Sequence, residues 1–333
     1  MIQDLVSVII STYNAGNTIE QCVAAVLMQD YPNVELIIVD DCSFDDTVNR
    51  VAKYNKKLII NETNSGISYS RNAGARVSSA NILIFLDSDV VIQKNGVSSL
   101  VKYLLSEKNI KVVAGKYSEN TQQLNFISDY KNMDLVYRTN MSTDYNISFT
   151  SFFFAIRKAD FMAVHGFTDV FTGFTAPSAE DTLFAYKLSG GKNLVCLKLN
   201  VFVDHLKTYS LISMLKTNFA RIASLIGIRK NSNGEYNAGE GCPIAYYVNI
   251  FFPSIILLSF LGVFFKAYWL PILAFIGFTF NNHGFLMFLV KKRGCFFAFK
   301  SLFILFIEYV GVFISILISL IVVKKRSISQ NSY

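Results

Sequence analysis

The chain has 333 residues, with 31 Lys/Arg against 24 Asp/Glu and a formal net charge of +7. Residues 1–243 are formally neutral, with 23 basic and 23 acidic side chains, whereas residues 244–333 hold 8 basic side chains and one acid, Glu308. The excess charge lies in the tail, which argues against a nucleic-acid-binding domain and suits basic residues flanking membrane segments.

The first 115 residues alternate between short apolar runs and helical patterns. Ser7–Ser11 predicts a buried strand, and Thr18–Gln29 a helix with Asn17 as N-cap. Val34–Val39 predicts a second strand, Asp46–Tyr54 a helix, Leu58–Ile60 a third strand, Ile67–Ser78 a helix and Ile82–Leu86 a fourth strand. Such alternation predicts βαβ units and a mostly parallel sheet. In sheets of that kind ligands sit outside the carboxyl ends of the strands. Three apolar runs end in polar clusters, STYN, DDCSFDD and DSD, which should converge on one crevice.

Residues 117–150 are less periodic and read as a loop or lid. Phe152–Ile156 predicts a strand, Ala179–Leu188 a helix opened by acids, and Asn200–Val203 a short strand. Ser210–Ile228 is amphipathic and fits either an interfacial helix on a membrane surface or a core-facing helix. Three apolar segments follow, 244–265 and 267–290 without charge and 301–323 with Glu308 alone. Each is long enough to span ~30 Å of hydrocarbon. Residues 324–333 form a polar tail. With the N-terminal part inside, three spans place Lys291–Arg293 inside and Lys324–Arg326 outside, against the preference of both clusters for the inside. Pro253 and Pro271 make the first two segments candidates for a re-entrant path. The five cysteines show neither zinc-site nor dithiol spacing and read as packed thiols. The N-terminus lacks a basic n-region, so no signal peptide is expected and the first domain is expected in the cytosol.

Asp87-Ser88-Asp89 ends an apolar strand. Two carboxylates there can hold a hard divalent cation and one face of a diphosphate, although the same pair also fits a self-capped turn. Asp40-Asp41 ends another strand and reads either as helix-capping acids or as a carboxylate accepting a nucleobase N–H. Arg71, on the helix after the Asn64-Ser65-Gly66 turn, can contact phosphate or pair with Asp87 or Asp41. Glu180-Asp181 opens a helix and reads either as capping acids or as a general base. Asp204-His205 follows a short strand, and His205 reads either as structural or as a metal or phosphate contact.

Taken together, these motifs resemble family 2 glycosyltransferases over roughly residues 5–230. VSVIISTYNAGNTIEQCVAAVLMQDYPNVELIIVDDCSFDDT, NSGISYSRNAGA, ILIFLDSDV and AEDTLFAYKLSGG occur in the family's order. The resemblance implies a GT-A fold, an α/β Rossmann-like catalytic domain over 1–230, while the length and lack of charge of the segments over 244–323 predict α-helical transmembrane segments after it. It implies Ser11, Tyr13, Asp41, Arg71, Asp87 and Ser88 at the nucleotide sugar, with Asp41 on the base. It places Asp89 and His205 at the metal, Mg²⁺ or Mn²⁺, and Asp181 as catalytic base with Glu180 beside it. The expected partners are a nucleotide-sugar donor, a UDP-sugar by preference, a lipid-linked or glycan acceptor, and membrane lipids, with no nucleic acid.

Two departures matter. His165-Gly166-Phe167-Thr168-Asp169 stands where the family often has Gly-Gly-Phe-Asp-Glu. The Gln-x-x-Arg-Trp motif of processive synthases is absent, since the single tryptophan, Trp269, lies in an apolar segment. The expectation is therefore inverting, metal-dependent transfer of a single sugar in surface or envelope glycan biosynthesis. A short-chain polysaccharide synthase and a non-catalytic membrane scaffold of the same fold are the alternatives.

Overall fold

The computed structural model describes residues 4–106, 109–120, 125–141, 150–168, 178–190, 196–231, 249–256 and 269–322. The described residues form two compact units, one from 4–168 and 179–208, the other from Ser178 and 209–322.

The first unit is built on an eight-stranded sheet: β1 Val6–Thr12, β2 Val34–Asp40, β3 Lys57–Ile60, β4 Ile82–Asp87, β5 Val90–Ile92, β6 Val112–Tyr117, β7 Phe153–Arg157 and β8 Cys196–His205. Their order is β3-β2-β1-β4-β7-β6-β8-β5. The pairs from β3 to β4 are parallel, and so is β6 with β8, while β7 runs antiparallel to both its neighbours and β5 antiparallel to β8. The sheet is thus mixed, with the expected parallel arrangement in its first four strands. The apolar runs explain that part: β1 is buried at every position and β4 at all but Asp87, as strands covered on both faces require.

Helices α1 Ile19–Leu27, α2 Thr47–Ala52, α3 Ile67–Val77 and α4 Gly96–Ser106 connect these strands. Thr18, not Asn17, is the N-cap of α1, and it caps without its side chain. Gly74 lets α3 approach β1, since an added Cβ would lie 2.4 Å from Ile9 Cγ2. The loop expected over 117–150 instead carries α5 Phe126–Met141. Tyr130, Met133 and Val136 of α5 are buried, as are polar Ser128, Asn132 and Asp134. Asn132 donates to the Ser118 carbonyl at 2.9 Å, and Asp134 is held by Arg138 at 2.6 Å and Lys131 at 3.1 Å. A helix that buries paired polar groups blurs the apolar periodicity by which helices are read. Two more helices complete the unit, α6 Lys158–Ala163 and α7 Glu180–Ser189. Phe85, Phe154, Phe161, Phe167 and Phe184 form an aromatic core, with Phe167 and Phe184 stacked at 4.4 Å.

The second unit is helical: α8 Leu211–Asn231, a helical stretch over 249–256 (α9), α10 Leu270–Asn281, α11 His283–Arg293 and α12 Cys295–Val322. By length and composition, Leu211–Lys230 and Cys295–Val322 could each cross a membrane, at mean hydropathies of 1.3 and 2.5. The bent pair α10–α11 would make a third if counted as one span. Residues 211–228 fall within α8, which is itself long and apolar enough to cross a membrane, and residues 301–322 fall within α12, which begins at Cys295. The segment expected over 267–290 breaks by 63° between α10 and α11. The break is not at Pro271, which sits harmlessly in the first turn of α10. It lies at Asn282, whose side chain exchanges hydrogen bonds with Asn249 at 2.8 and 2.6 Å and donates to the Phe278 carbonyl at 2.8 Å. Most of 244–265 and all of 324–333 lie outside the described residues. Glu308, 4% exposed, accepts a hydrogen bond from Asn218 of α8 at 2.9 Å.

Candidate active site

Strand register assembles one edge of the site. Ser11 is opposite Asp87 and Thr12 opposite Asp40, so the polar ends of β1, β2 and β4 lie side by side. The Ser11, Thr12 and Ser68 hydroxyls are buried without a hydrogen-bond partner among the described residues. Buried polar atoms of that kind are uncommon and need an explanation.

The loops after β1 and β2 are tied together. Asn14, with φ 48°, donates its N–H to Ser43 Oγ at 2.8 Å, and its side chain accepts from Phe44 N at 3.0 Å. Ala15 N donates to Thr47 Oγ1 at 2.8 Å and Gly16 N to Asp45 Oδ2 at 3.0 Å. This lacing presents two aromatic rings, Tyr13 and Phe44, which meet edge to face with centroids 6.0 Å apart. Phe44 is 83% exposed. Asp41 is buried and accepts three internal hydrogen bonds, from Asn61 Nδ2 at 2.7 Å, Ser65 N at 2.9 Å and Gly66 N at 2.7 Å. It closes the 61–66 turn ahead of α3, where Gly66 has φ 92°.

Arg71 on α3 is 1% exposed. Its Nη2 contacts Asp87 Oδ1 at 2.7 Å and the Ser151 carbonyl at 3.3 Å, and its Nη1 contacts Glu180 Oε1 at 3.0 Å. The guanidinium lies over the Phe167 ring, 4.9 Å from its centroid. The neighbouring Asn72 grips the backbone of Phe167 from both sides, at 2.9 and 3.0 Å. Gly166, with φ 61°, precedes it, and an added Cβ there would lie 2.4 Å from Asn72 Oδ1.

On the other side of Asp87, Ser88 is half-buried and Asp89 Oδ2 lies 3.8 Å from His205 Nε2. His205 packs against Tyr117, which stacks on Phe152. The Cys22 thiol donates to the Asp87 carbonyl at 3.4 Å, and burial pushes its pKa far up, so it is an inert packing group. Burial raises the Asp87 pKa; Arg71 draws it back and Asp89 adds to the rise. Burial also raises Asp89, but His205 and Lys207 outweigh it and leave this carboxyl below its ordinary value. The carboxylate–imidazole pair is a donor set for a hard or borderline cation. Among the described residues, no group of three or more His, Cys, Asp or Glu side chains could hold a metal by itself. Further ligands would therefore come from a bound diphosphate and water.

Helix α7 begins with Glu180 and Asp181 after Ala179, whose φ of 68° is left-handed. That conformation costs an alanine about 1–2 kcal/mol. Burial, then Asp181, raises the Glu180 pKa. Asp181 is buried; its Oδ1 accepts from Thr182 N at 2.7 Å and Thr182 Oγ1 at 3.1 Å, and its Oδ2 takes no hydrogen bond among the described residues. Residues 169–177, including the departure at Asp169, lie outside the described residues.

The structure therefore groups Arg71, Asp87 and Glu180 in one contact network and brings Asp89 to His205. Tyr13 and Ser11 lie on the β1 side, and Asp41 belongs to the turn before α3. The sequence reading missed Lys207, Phe44 and Phe167. Lys207 carried a signal in its position two residues beyond His205, while Phe44 lay within DDCSFDD and Phe167 within the 165–169 segment without being given a role there.

Residues 7–165 match the family described as Glycosyl transferase family 2. The UDP-Glc:alpha-D-GlcNAc-diphosphoundecaprenol beta-1,3-glucosyltransferase WfgD of Escherichia coli is 35% identical over 116 residues, 34% of this chain and 46% of that protein. The poly(ribitol-phosphate) beta-N-acetylglucosaminyltransferase TarP of Staphylococcus aureus is 36% identical over 120 residues, 34% of this chain and 36% of that protein. The chain spans less than half the length of the curated relatives it matches. The mannosyltransferase PcManGT of Pyrobaculum calidifontis, solved with GDP-Man and Mn²⁺, shares the fold at a TM-score of 0.56 and 14% identity, over 96% of this chain and 86% of that one. Motif order, strand topology and the family match agree: residues 7–165 carry a glycosyltransferase family 2 domain on a GT-A fold, in a chain that also has helices apolar enough to cross a membrane.

Proposed function

We propose that the protein is an inverting, metal-dependent glycosyltransferase that moves a single sugar from a nucleotide-sugar donor to a lipid-linked or membrane-associated acceptor. The observation that carries this reading is Asp181, a buried carboxylate at the start of α7 with one oxygen unengaged among the described residues. Asp181 takes the proton of the acceptor hydroxyl as that oxygen attacks the anomeric carbon. The bond from that carbon to the nucleoside diphosphate breaks in the same displacement, so configuration inverts. Asp89 and His205 would hold Mg²⁺ or Mn²⁺, which neutralises charge on the departing diphosphate. Ser11 and Ser68 supply unpartnered hydroxyls, and Tyr13 an exposed ring face, for the nucleoside. A UDP-sugar is the favoured donor.

The acceptor class rests on two supports. The name of WfgD makes its acceptor a diphosphoundecaprenol-linked sugar, and this chain has helices fit for a bilayer where such lipids reside. The setting proposed is surface or envelope glycan biosynthesis, by an integral membrane protein whose catalytic domain faces the cytosol. The test is a thermal-shift panel of UDP-, GDP- and dTDP-sugars with Mn²⁺, followed by turnover with the stabilising donor. A ligand of the folded state raises the melting temperature by mass action. No shift with any donor, or turnover unaffected by a chelator, overturns the corresponding part.

A further inference from the structure

Four groups from separate parts of the chain meet around Arg71: Asp87 of β4, the Ser151 carbonyl, the Phe167 ring, and Glu180 of α7, with Asp181 next to Glu180 in sequence. Arg71 itself is 1% exposed, so each contact replaces hydration that the guanidinium has lost. The guanidinium therefore ties the end of β4, which carries the Asp87-Ser88-Asp89 triplet, to the first residue of α7. That residue follows Ala179, which holds a left-handed conformation without a side-chain cap. A helix start so placed needs an outside hold, and the Glu180–Arg71 contact is one the described residues provide.

We propose that Glu180 is a positioning residue: it accepts from Arg71 and so fixes the first turn of α7, which sets the reach of Asp181 toward the acceptor hydroxyl. This deepens the function proposed above and rests on it. On this reading Glu180 holds Arg71 through Oε1 and Asp181 is the base, and that hold needs a hydrogen-bond acceptor of the right length more than a charge. Charge balance agrees, since Arg71 keeps Asp87 as counter-ion when Glu180 is made neutral.

Two near-isosteric variants separate the roles. Glu180→Gln keeps both length and an acceptor oxygen. Glu180→Asp keeps the charge but is one methylene too short to hold Arg71 at 3.0 Å. The expected result is Glu180→Gln within about threefold of the parent kcat, since a hydrogen bond to Arg71 persists. Glu180→Asp should lose about 10–100-fold in kcat, the scale of a misplacement near 1 Å. The Kd for the donor, read by thermal shift or calorimetry on the full chain with Mn²⁺, should stay within about threefold for both, because Asp89 and His205 are untouched. The reverse order, with Gln inactive and Asp active, overturns the proposal and makes Glu180 a chemical or metal-binding carboxylate. Equal full activity overturns it too. If Glu180→Asp fails to fold, Glu180→Gln decides alone: near-parent kcat supports positioning and loss refutes it. Asp181→Asn, run alongside, keeps the two readings apart. Its full activity removes the proposed base, whereas an inactive Asp181→Asn beside an inactive Glu180→Gln removes only the positioning role.

Discussion

The acids on the β1–β2 side and those around Arg71 share residue types and positions at element ends, yet they are held in opposite ways. Asp40, Asp41 and Asp45 accept hydrogen bonds from backbone N–H groups, hydroxyls and an amide: Ser43 for Asp40, Asn61, Ser65 and Gly66 for Asp41, and Gly16 and Thr47 for Asp45. Asp87 and Glu180 instead flank one buried guanidinium, and Asp89 faces an imidazole. Neutral, fixed donors make an acid part of the loop. Acids crowded around too few cations keep unmet demand for positive charge, which suits a diphosphate-and-metal chemistry.

The sharpest way to break this contrast is Asp181→Asn. Turnover should fall by about 10²–10⁴-fold, the usual contribution of a positioned base, with an unchanged melting temperature. A melting temperature that falls with activity would place Asp181 among the structural acids. Asp89→Ala should cost about 10²–10³-fold in kcat, the scale of removing one preorganised electrostatic contact, with turnover measured across a Mn²⁺ titration. Full activity at ordinary Mn²⁺ would remove Asp89 from the metal.

Asp41→Ala should act in the other direction. Three donors lose their acceptor, and each buried unsatisfied group costs about 1–3 kcal/mol, so a drop of several kcal/mol is expected in urea denaturation. A variant as stable as the parent but unable to bind UDP would instead make Asp41 a base contact before anything else.

The smallest effect concerns pH, and its sign differs between the two groups. Glu180 and Asp87 have raised pKa values in the fold, so their contribution is fully present below the ordinary carboxylate range and is lost as pH rises through the raised values. For Asp134, burial raises the pKa but Arg138 and Lys131 more than reverse it, so its contribution is present above about pH 4 and lost as pH falls through the lowered value. Melting curves from pH 3 to 8 should therefore flatten on the acid side in Asp134→Asn and on the rising side in Glu180→Gln. Parallel curves for both variants would contradict the assigned directions.

Much of the strand framework was legible because β1, β2 and β4 are largely apolar runs that end in polar residues, acids in β2 and β4. Those polar ends announced both the strand ends and the site. Helix α5 was not legible, because Asn132 and Asp134 are buried with partners that lie elsewhere in the chain or one turn along. The division of labour among the acids was hidden for the same reason. Asp41 and Asp87 look alike in sequence, and only the turn at 61–66 and the contact with Arg71 separate them. The break at Asn282 was also out of reach, since asparagine pairing across helices has no local signature.

The register of β1 has a consequence for how the gene can change. Ser11 reaches Asp87 and Thr12 reaches Asp40 at the last rungs of a ladder whose earlier rungs are core residues. A one-residue insertion in any of the three strands shifts those rungs and turns its buried side chains to the opposite face. Misalignment of the site and exposure of the core would then occur together. Quality control in the cell, which reads exposed apolar surface, would discard mis-aligned sites without ever testing their chemistry, so the surviving variation at this edge should be substitution and not length.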